Sequence, residues 1–220
     1  MNTSMVEIKN IKIGDGQPFA LIAGPCVVEN EQMIMETAAQ IKEITAKFNI
    51  PFIFKSSYRK ANRTSLNSFK GIGDEDAINI LKKVKDELNI PVLTDIHSPD
   101  EINKVLDCAD VLQIPAFLSR QTELLIAAGS SGKAVNVKKG QFLAPDDMKH
   151  VIEKIESTGN KKILLTERGT SFGYHNLVVD MRSLVIMKQL RYPVIMDATH
   201  AAIMTQNTIP PAPENAAKMV

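Results

Sequence analysis

The chain is poor in cysteine, in charge of either sign in excess, and in long apolar runs. Each shortage closes off a class of function. Two cysteines, Cys26 and Cys108, among 220 residues cannot frame a disulfide-stapled fold, and a reducing, cytoplasmic setting is the expectation. Lys and Arg total 26 against 25 Asp and Glu, a formal charge of +1, so the surface is not built for nucleic acid. No run of roughly eighteen apolar residues occurs, which leaves no membrane-spanning helix. The start, MNTSMVEIKNIKIGDG, lacks a basic segment followed by an apolar one, so no secretory leader is expected. There is no low-complexity tract and no close repeat of residue identity. A hydrophobic content of 44% with 23% charge is ordinary for a globular protein, and the length suits one large domain or two small ones.

A repeat of pattern gives the fold class. Residues 6–13 alternate around Asn10 and predict a short hairpin, with a turn at Gly14-Asp15-Gly16. Apolar, strand-like runs follow at 19–23, 51–54, 91–94, 111–114, 134–137, 163–165 and 194–196. Helical spacing lies between them, over 30–48, from Asp74 to Leu88, after Ser98-Pro99-Asp100-Glu101, and over 118–128, 145–155 and 179–190. Asp74 is placed to cap its helix, and Ser98 to Glu101 has the form of a capping box with Pro at the first helical position. Strand and helix therefore alternate through seven strands, which predicts a parallel sheet covered by helices. The ten methionines fall mostly at helical spacing and read as core.

Two architectures fit that order, a (β/α)8 TIM barrel and an open doubly wound sheet. No GxGxxG follows the first strand, so the dinucleotide-binding open sheet lacks its fingerprint. The polar residues favour the barrel. Successive strands end in Cys26 and Glu29, Lys55, Asp95 and His97, Gln113, Lys138, Glu167 and Arg168, and Asp197 and His200. In a barrel those ends converge on one face, whereas outer strands of an open sheet could not all reach one ligand. The stretch after the second strand, KSSYRKANRTS at 55–65, is the most concentrated of these signals. It sets four cations among hydroxyls and an amide with no acid, a composition suited to a phosphate, with a solvated basic loop as the plainer alternative.

Seven segments in order, GPCVVE, KSSYRKANRTS, LTDIH, LQIPAFLSRQT, NVKKGQFLAP, TERGTSFGYHNLVVDMR and MDATH, closely resemble the 3-deoxy-D-manno-octulosonate 8-phosphate synthase family. They run from about residue 19 to 200. The resemblance implies condensation of phosphoenolpyruvate with D-arabinose 5-phosphate, in the pathway to bacterial lipopolysaccharide. It implies that Lys60, Lys138 and Arg168 hold phosphoenolpyruvate with Gln113, Ala116 and Phe117, and that Asn62, Arg63 and Thr64 take the sugar phosphate. Lys55, Lys60, Asp95 and His200 stand as the catalytic candidates. Cys26 marks the metal-dependent branch, so Cys26 and His200 are expected to hold a divalent ion, Zn²⁺, Fe²⁺ or Mn²⁺. A homotetramer is implied as well.

The expectation for the C-terminus departs from the family. Residues 1–200 read as a single, incomplete barrel domain and 201–220 as an atypical tail, with the eighth βα unit and the remaining metal ligands missing. An open barrel of that kind is expected to be less stable, to bind metal weakly and to turn over poorly. His175 stands where the family has Asn and is given no role. His150, Cys108, and Asp180 with Arg182 read as structural or surface residues, and alternation turns Lys139 away from the site. Two alternatives remain. One is a 3-deoxy-heptulosonate 7-phosphate synthase using erythrose 4-phosphate, which the Lys60-Ala61-Asn62-Arg63 sequence disfavours. The other is a non-catalytic remnant.

Overall fold

The computed structural model describes residues 3–14, 16–61, 69–174 and 176–201. The chain opens with the antiparallel hairpin β1 (Val6–Ile8) and β2 (Ile11–Ile13), then enters β3 (Leu21–Ala23). Next come α1 (Glu31–Lys47), β4 (Phe52–Lys55), α2 (Asp74–Glu87), β5 (Val92–Asp95), α3 (Ile102–Val105) and β6 (Val111–Ile114). Then follow α4 (Thr122–Ser130), β7 (Ala134–Lys138), α5 (Met148–Glu156) and β8 (Ile163–Glu167). A small hairpin of β9 (Thr170–Ser171) and β10 (Leu177–Val178) precedes α6 (Arg182–Lys188), β11 (Val194–Met196) and α7 (Ala198–Ala201).

Seven of these strands form one parallel sheet in the order β11-β8-β7-β6-β5-β4-β3, in chain sequence apart from the excursion of β9 and β10. Helices alternate with the strands, as in a (β/α)8 barrel, the fold class that the pattern predicts. The eighth unit and the 201–220 tail concern residues that, Ala201 apart, lie outside those described.

Alternation along each strand separates two apolar layers. One set, including Val92, Leu112, Ile114, Val135, Val137, Ile163 and Leu165, packs against the helices. The other, Ile53, Leu93, Val111, Ala134 and Leu164, faces the barrel interior and meets Val6, Ile8 and Ile11 of the first hairpin. The hairpin thus plugs the end where the strands begin. One step further along the strands, the inward positions become polar: Lys55, Asp95, Gln113, Asn136, Thr166 and Asp197.

Most strands extend a residue or two beyond the apolar runs of the sequence, taking in Lys55, Asp95, Lys138 and Glu167. An apolar run stops at the first polar side chain. The hydrogen-bonded ladder does not, because the open end of a barrel tolerates polar groups. Two helix starts also differ from expectation. Gly73 caps α2 and Asp74 is its first helical residue, with its carboxylate 3.1 Å from Arg59. Ser98 begins a 3₁₀ turn at Pro99–Glu101 without a side-chain cap bond.

Gly24 is the one glycine that the fold cannot replace near the site. Its φ is +151°, and a Cβ there would lie 2.2 Å from the Lys55 carbonyl oxygen. Gly24→Ala is expected to cost about 3 kcal/mol through overpacking against backbone. For a chain of this size that lowers the thermal midpoint by about 6–12 °C, which calorimetry reads directly.

Candidate active site

The polar strand ends collect where the sequence places them. Lys55 Nζ sits 3.7 Å from Asp95 Oδ2 and donates to Ser57 Oγ at 3.0 Å and to the Cys26 carbonyl at 3.4 Å. Ser57 Oγ in turn donates to Asp95, and Gln113 Nε2 donates to the other carboxylate oxygen at 2.5 Å. Burial alone would raise the Asp95 pKa. The charge of Lys55, the bonds from Gln113 and Ser57, and the charge of Lys138 outweigh it and hold the carboxyl well below its ordinary range. Asp95 is therefore a fixed anion that accepts hydrogen bonds and makes a poor base at neutral pH.

A second cluster lies at the end of β11. Lys138 Nζ donates to Asp197 Oδ2 at 2.9 Å. His200 Nδ1 lies 2.8 Å from the same oxygen, and its backbone N–H bonds Asp197 Oδ1 at 3.1 Å. Burial works against ionisation of Asp197, but the His200 bond and the Lys138 charge prevail and keep its carboxyl far below the usual range. Arg168 follows β8 and is half-buried. Burial lowers its pKa, against the raising effects of Asp197 and Glu167.

Cys26 is exposed, on the turn after Gly24, and its Sγ accepts from Lys60 Nζ at 2.9 Å. Burial of part of the thiol raises its pKa, yet Lys55 and Lys60 together bring it below the ordinary value and favour thiolate. Cys26 and His200 offer a thiolate and an imidazole, suitable donors for a divalent ion. Among the described residues, however, no group of three or more His, Cys, Asp and Glu side chains is placed to hold a metal. The described residues do not by themselves make up a metal centre.

The candidates divide accordingly. Lys55, Asp95, Gln113, Lys138, Arg168 and His200 line one end of the sheet, with Cys26 and Lys60 at its margin. Ala116 is buried and Phe117 exposed on the 3₁₀ turn after β6, without a bond to the cluster. Asn62, Arg63 and Thr64, like His175, lie outside the described residues. Glu167 does not join the strand-end group. Its Oε1 accepts from the Gly169 N–H at 2.6 Å and lies 3.6 Å from buried Lys139, on the outer side of the sheet. Lys139 points away from the interior, as alternation predicts, toward Thr170 Oγ1 and the carbonyls of Gly140, Leu143 and Gly169. Cys108 is buried in the core, with its thiol pushed up to about 12. His150 is exposed, and Asp180 pairs with Arg182.

Three buried contributors were not assigned to the site from the sequence: Ser57, Asn136 and Glu101, the last read there only as part of a capping box. Glu101 is 3% exposed and gathers Tyr58 Oη at 2.5 Å, a guanidinium nitrogen of Arg59, and the His97 N–H at 2.9 Å. His97 Nδ1 lies 3.1 Å from the same carboxylate, so His97 is engaged at the base of the loop. Burial pulls the Glu101 pKa up, but the bonds from His97 and Tyr58 bring it down to about 2. A carboxylate in the first turn after β5 thereby anchors the segment that carries Lys55 and Lys60.

The chain is also similar to known proteins. The model of the DAHP synthetase I family matches residues 3–217. Proteins named 2-dehydro-3-deoxyphosphooctonate aldolase are similar over most of the chain. The one from Desulfatibacillum aliphaticivorans is 57% identical over 195 residues, 89% of this chain and 71% of that protein. The one from Geotalea uraniireducens is 57% identical over 196 residues, 89% of this chain and 72% of the relative. The one from Francisella tularensis subsp. holarctica is 54% identical over 196 residues, 89% and 71% respectively.

Proposed function

The chain belongs to the DAHP synthetase I family, and from that premise we propose that it condenses phosphoenolpyruvate with D-arabinose 5-phosphate. The products are 3-deoxy-D-manno-octulosonate 8-phosphate and inorganic phosphate. C3 of the enol forms the new carbon–carbon bond with the sugar aldehyde carbon. Water adds at C2, and the C2–O bond to phosphate breaks with the phosphate as leaving group. The observation that supports this most is the convergence of Lys55, Asp95, Gln113 and Lys138 from four adjacent strands, β4 to β7.

Phosphoenolpyruvate carries a phosphate and a carboxylate. Lys60, Lys138 and Arg168 meet that charge, and Gln113 adds an amide donor. Such fixed donors act by orienting the reactants and by stabilising charge that develops on oxygen, without reorganising during the reaction. Asp95, held ionised, orients a hydroxyl of the sugar or the attacking water by accepting its hydrogen. The bond between His200 Nδ1 and Asp197 leaves Nε2 as the imidazole's other exchangeable position, suited to passing a proton. Asn62, Arg63 and Thr64 stand in this reading as the sugar-phosphate contacts. It also includes a cytoplasmic homotetramer, which light scattering on purified protein tests.

The deciding assay is phosphate release from phosphoenolpyruvate with each sugar phosphate, with Mn²⁺ or with chelator. Release is expected with arabinose 5-phosphate at a rate at least about tenfold above that with erythrose 4-phosphate, about 1.4 kcal/mol of discrimination. Preference for erythrose 4-phosphate would assign the heptulosonate reaction instead. No release with either, from folded protein, would refute both. Loss with chelator would establish the metal dependence that Cys26 implies.

A further inference from the structure

Four buried side chains form one directed row across the barrel interior. Thr166 Oγ1 donates to Asn136 Oδ1 at 2.7 Å. Asn136 Nδ2 donates to Gln113 Oε1 at 2.8 Å, and Gln113 Nε2 donates to Asp95 Oδ1 at 2.5 Å. The four come from β8, β7, β6 and β5, and none is more than 9% exposed. Backbone register sets Asp95 opposite Gln113 and Gln113 opposite Asn136.

The direction of the row follows from its ends. An ionised carboxylate only accepts, so Gln113 must turn its nitrogen toward Asp95. Its oxygen then faces β7, where only a donor satisfies it. Asn136 supplies that donor, and the Thr166 hydroxyl satisfies the oxygen of Asn136. Reversing the Gln113 amide would set oxygen against oxygen at Asp95 and nitrogen against nitrogen at Asn136. A primary amide carries two hydrogens on its nitrogen, and Asp95 takes one. The second is the donor available to a phosphate or carboxylate oxygen.

We infer that Asn136 is a positioning residue, which locks the Gln113 amide with its nitrogen toward Asp95 and so keeps a donor presented to the anionic substrate. The inference rests on the proposed reaction for the identity of that substrate, phosphoenolpyruvate. Asn136 acts through Gln113. With Asn136 in place, the carbonyl oxygen of Gln113 cannot swing round to repel an anion.

The test compares wild type with Asn136→Asp and Asn136→Leu, which keep nearly the same volume. Thermal midpoints establish that each is folded. In Asn136→Asp the new carboxyl donates to Gln113 only while protonated. The charged and titratable groups at this end of the interior are Asp95 on β5, Lys55 on β4, Lys138 on β7, Asp197 and His200 after β11 and Arg168 after β8, while β6 and β8 contribute the uncharged Gln113 and Thr166 that touch position 136. Its KM for phosphoenolpyruvate is expected to rise about tenfold or more, the worth of one good hydrogen bond. That rise should steepen with increasing pH as the new carboxyl ionises, a limb absent from wild type. Asn136→Leu should show a similar rise in KM without the limb, and in both variants kcat should change by less than about threefold. Wild-type KM and pH profile in both variants would overturn the inference, as would a fall in kcat alone.

If wild type itself releases no phosphate, the proposed function has failed, and the row is judged by magnetic resonance. The Gln113 side-chain amide, identified by its absence in Gln113→Leu, should exchange with solvent about tenfold faster in Asn136→Leu than in wild type. Unchanged exchange would refute the lock whatever the activity.

Discussion

Lys138→Met should lower the rate of phosphate release by a factor of about 10²–10³ while leaving the protein folded. Lys138 is the cation on β7 that lies between the two anionic clusters. It contacts Asp197 directly and contributes to the low pKa of Asp95. Methionine keeps much of the length and apolar stem of lysine, so packing changes little. What disappears is one positive charge where phosphoenolpyruvate, with up to three negative charges, must sit between two carboxylates. The loss should appear in both KM and kcat, because the same charge that binds the phosphate also stabilises it as it leaves. The Lys138–Asp197 pair is largely buried, so the thermal midpoint should also fall, but by less than for Glu101→Ala because Asp197 retains its bond to His200. A variant that keeps the wild-type rate would remove Lys138 from the substrate site.

Glu101→Ala should produce the largest loss of stability of any single substitution around the site. Glu101 is nearly inaccessible and serves Tyr58, Arg59, His97 and Ser98 at once. Its removal strands a buried phenol and leaves the Arg59 guanidinium, whose Nε already lacks a partner, with Asp74 alone. Breaking a buried charged pair from one side costs about 3–5 kcal/mol, which for a chain of this size is about 6–20 °C in thermal midpoint. The pH dependence separates charge from packing. The folded pKa of about 2 is depressed from an ordinary value of 4.5, so the ionised form stabilises the fold. That contribution is complete above pH 4.5 and is lost as pH falls toward 2. Glu101→Gln should flatten the acid limb of the stability curve over that window, and an unchanged acid limb would show that Glu101 is not the group responsible.

The sequence carried the order of strands because apolar runs and helical spacing are local signals. It carried Lys55, Asp95 and Lys138 for a related reason: a polar residue just after an apolar strand has no local purpose, so it points to the barrel mouth, whereas Gln113 lies inside the run 111–114 and was also carried by the resemblance of the segment LQIPAFLSRQT. Asn136 was illegible by the same logic. It sits inside the run Ala134–Lys138, where a single polar residue looks like an interruption of the core. Its meaning depends on Gln113 and Thr166, which lie on neighbouring strands and are far away in sequence. Glu101 was misread for a different reason. Ser98-Pro99-Asp100-Glu101 has the local form of a capping box, but the Glu101 carboxylate takes the amide of His97 in place of that of Ser98 and is shared with Arg59 and Tyr58 from the previous loop. Glu167 was placed at the mouth because it ends a strand. The alternation that correctly turned Lys139 outward applies equally to Glu167, and the two meet there.

The hairpin that plugs the barrel has a consequence for how the chain is made. Val6, Ile8 and Ile11 leave the ribosome well before their partners Val111, Ala134 and Leu164. Ser4 bonds the carbonyl of Arg191, later still. At ordinary rates of synthesis the roughly 150 residues in between take about 8–30 s to appear. Throughout that time the sticky face of the hairpin has only part of its docking surface, from Ile53 and Leu93. The growing chain therefore carries a partly uncovered apolar face while those strands are made, and the exposed charges of Glu7, Lys9 and Lys12 interleaved along it are of the kind that disfavours pairing between nascent chains.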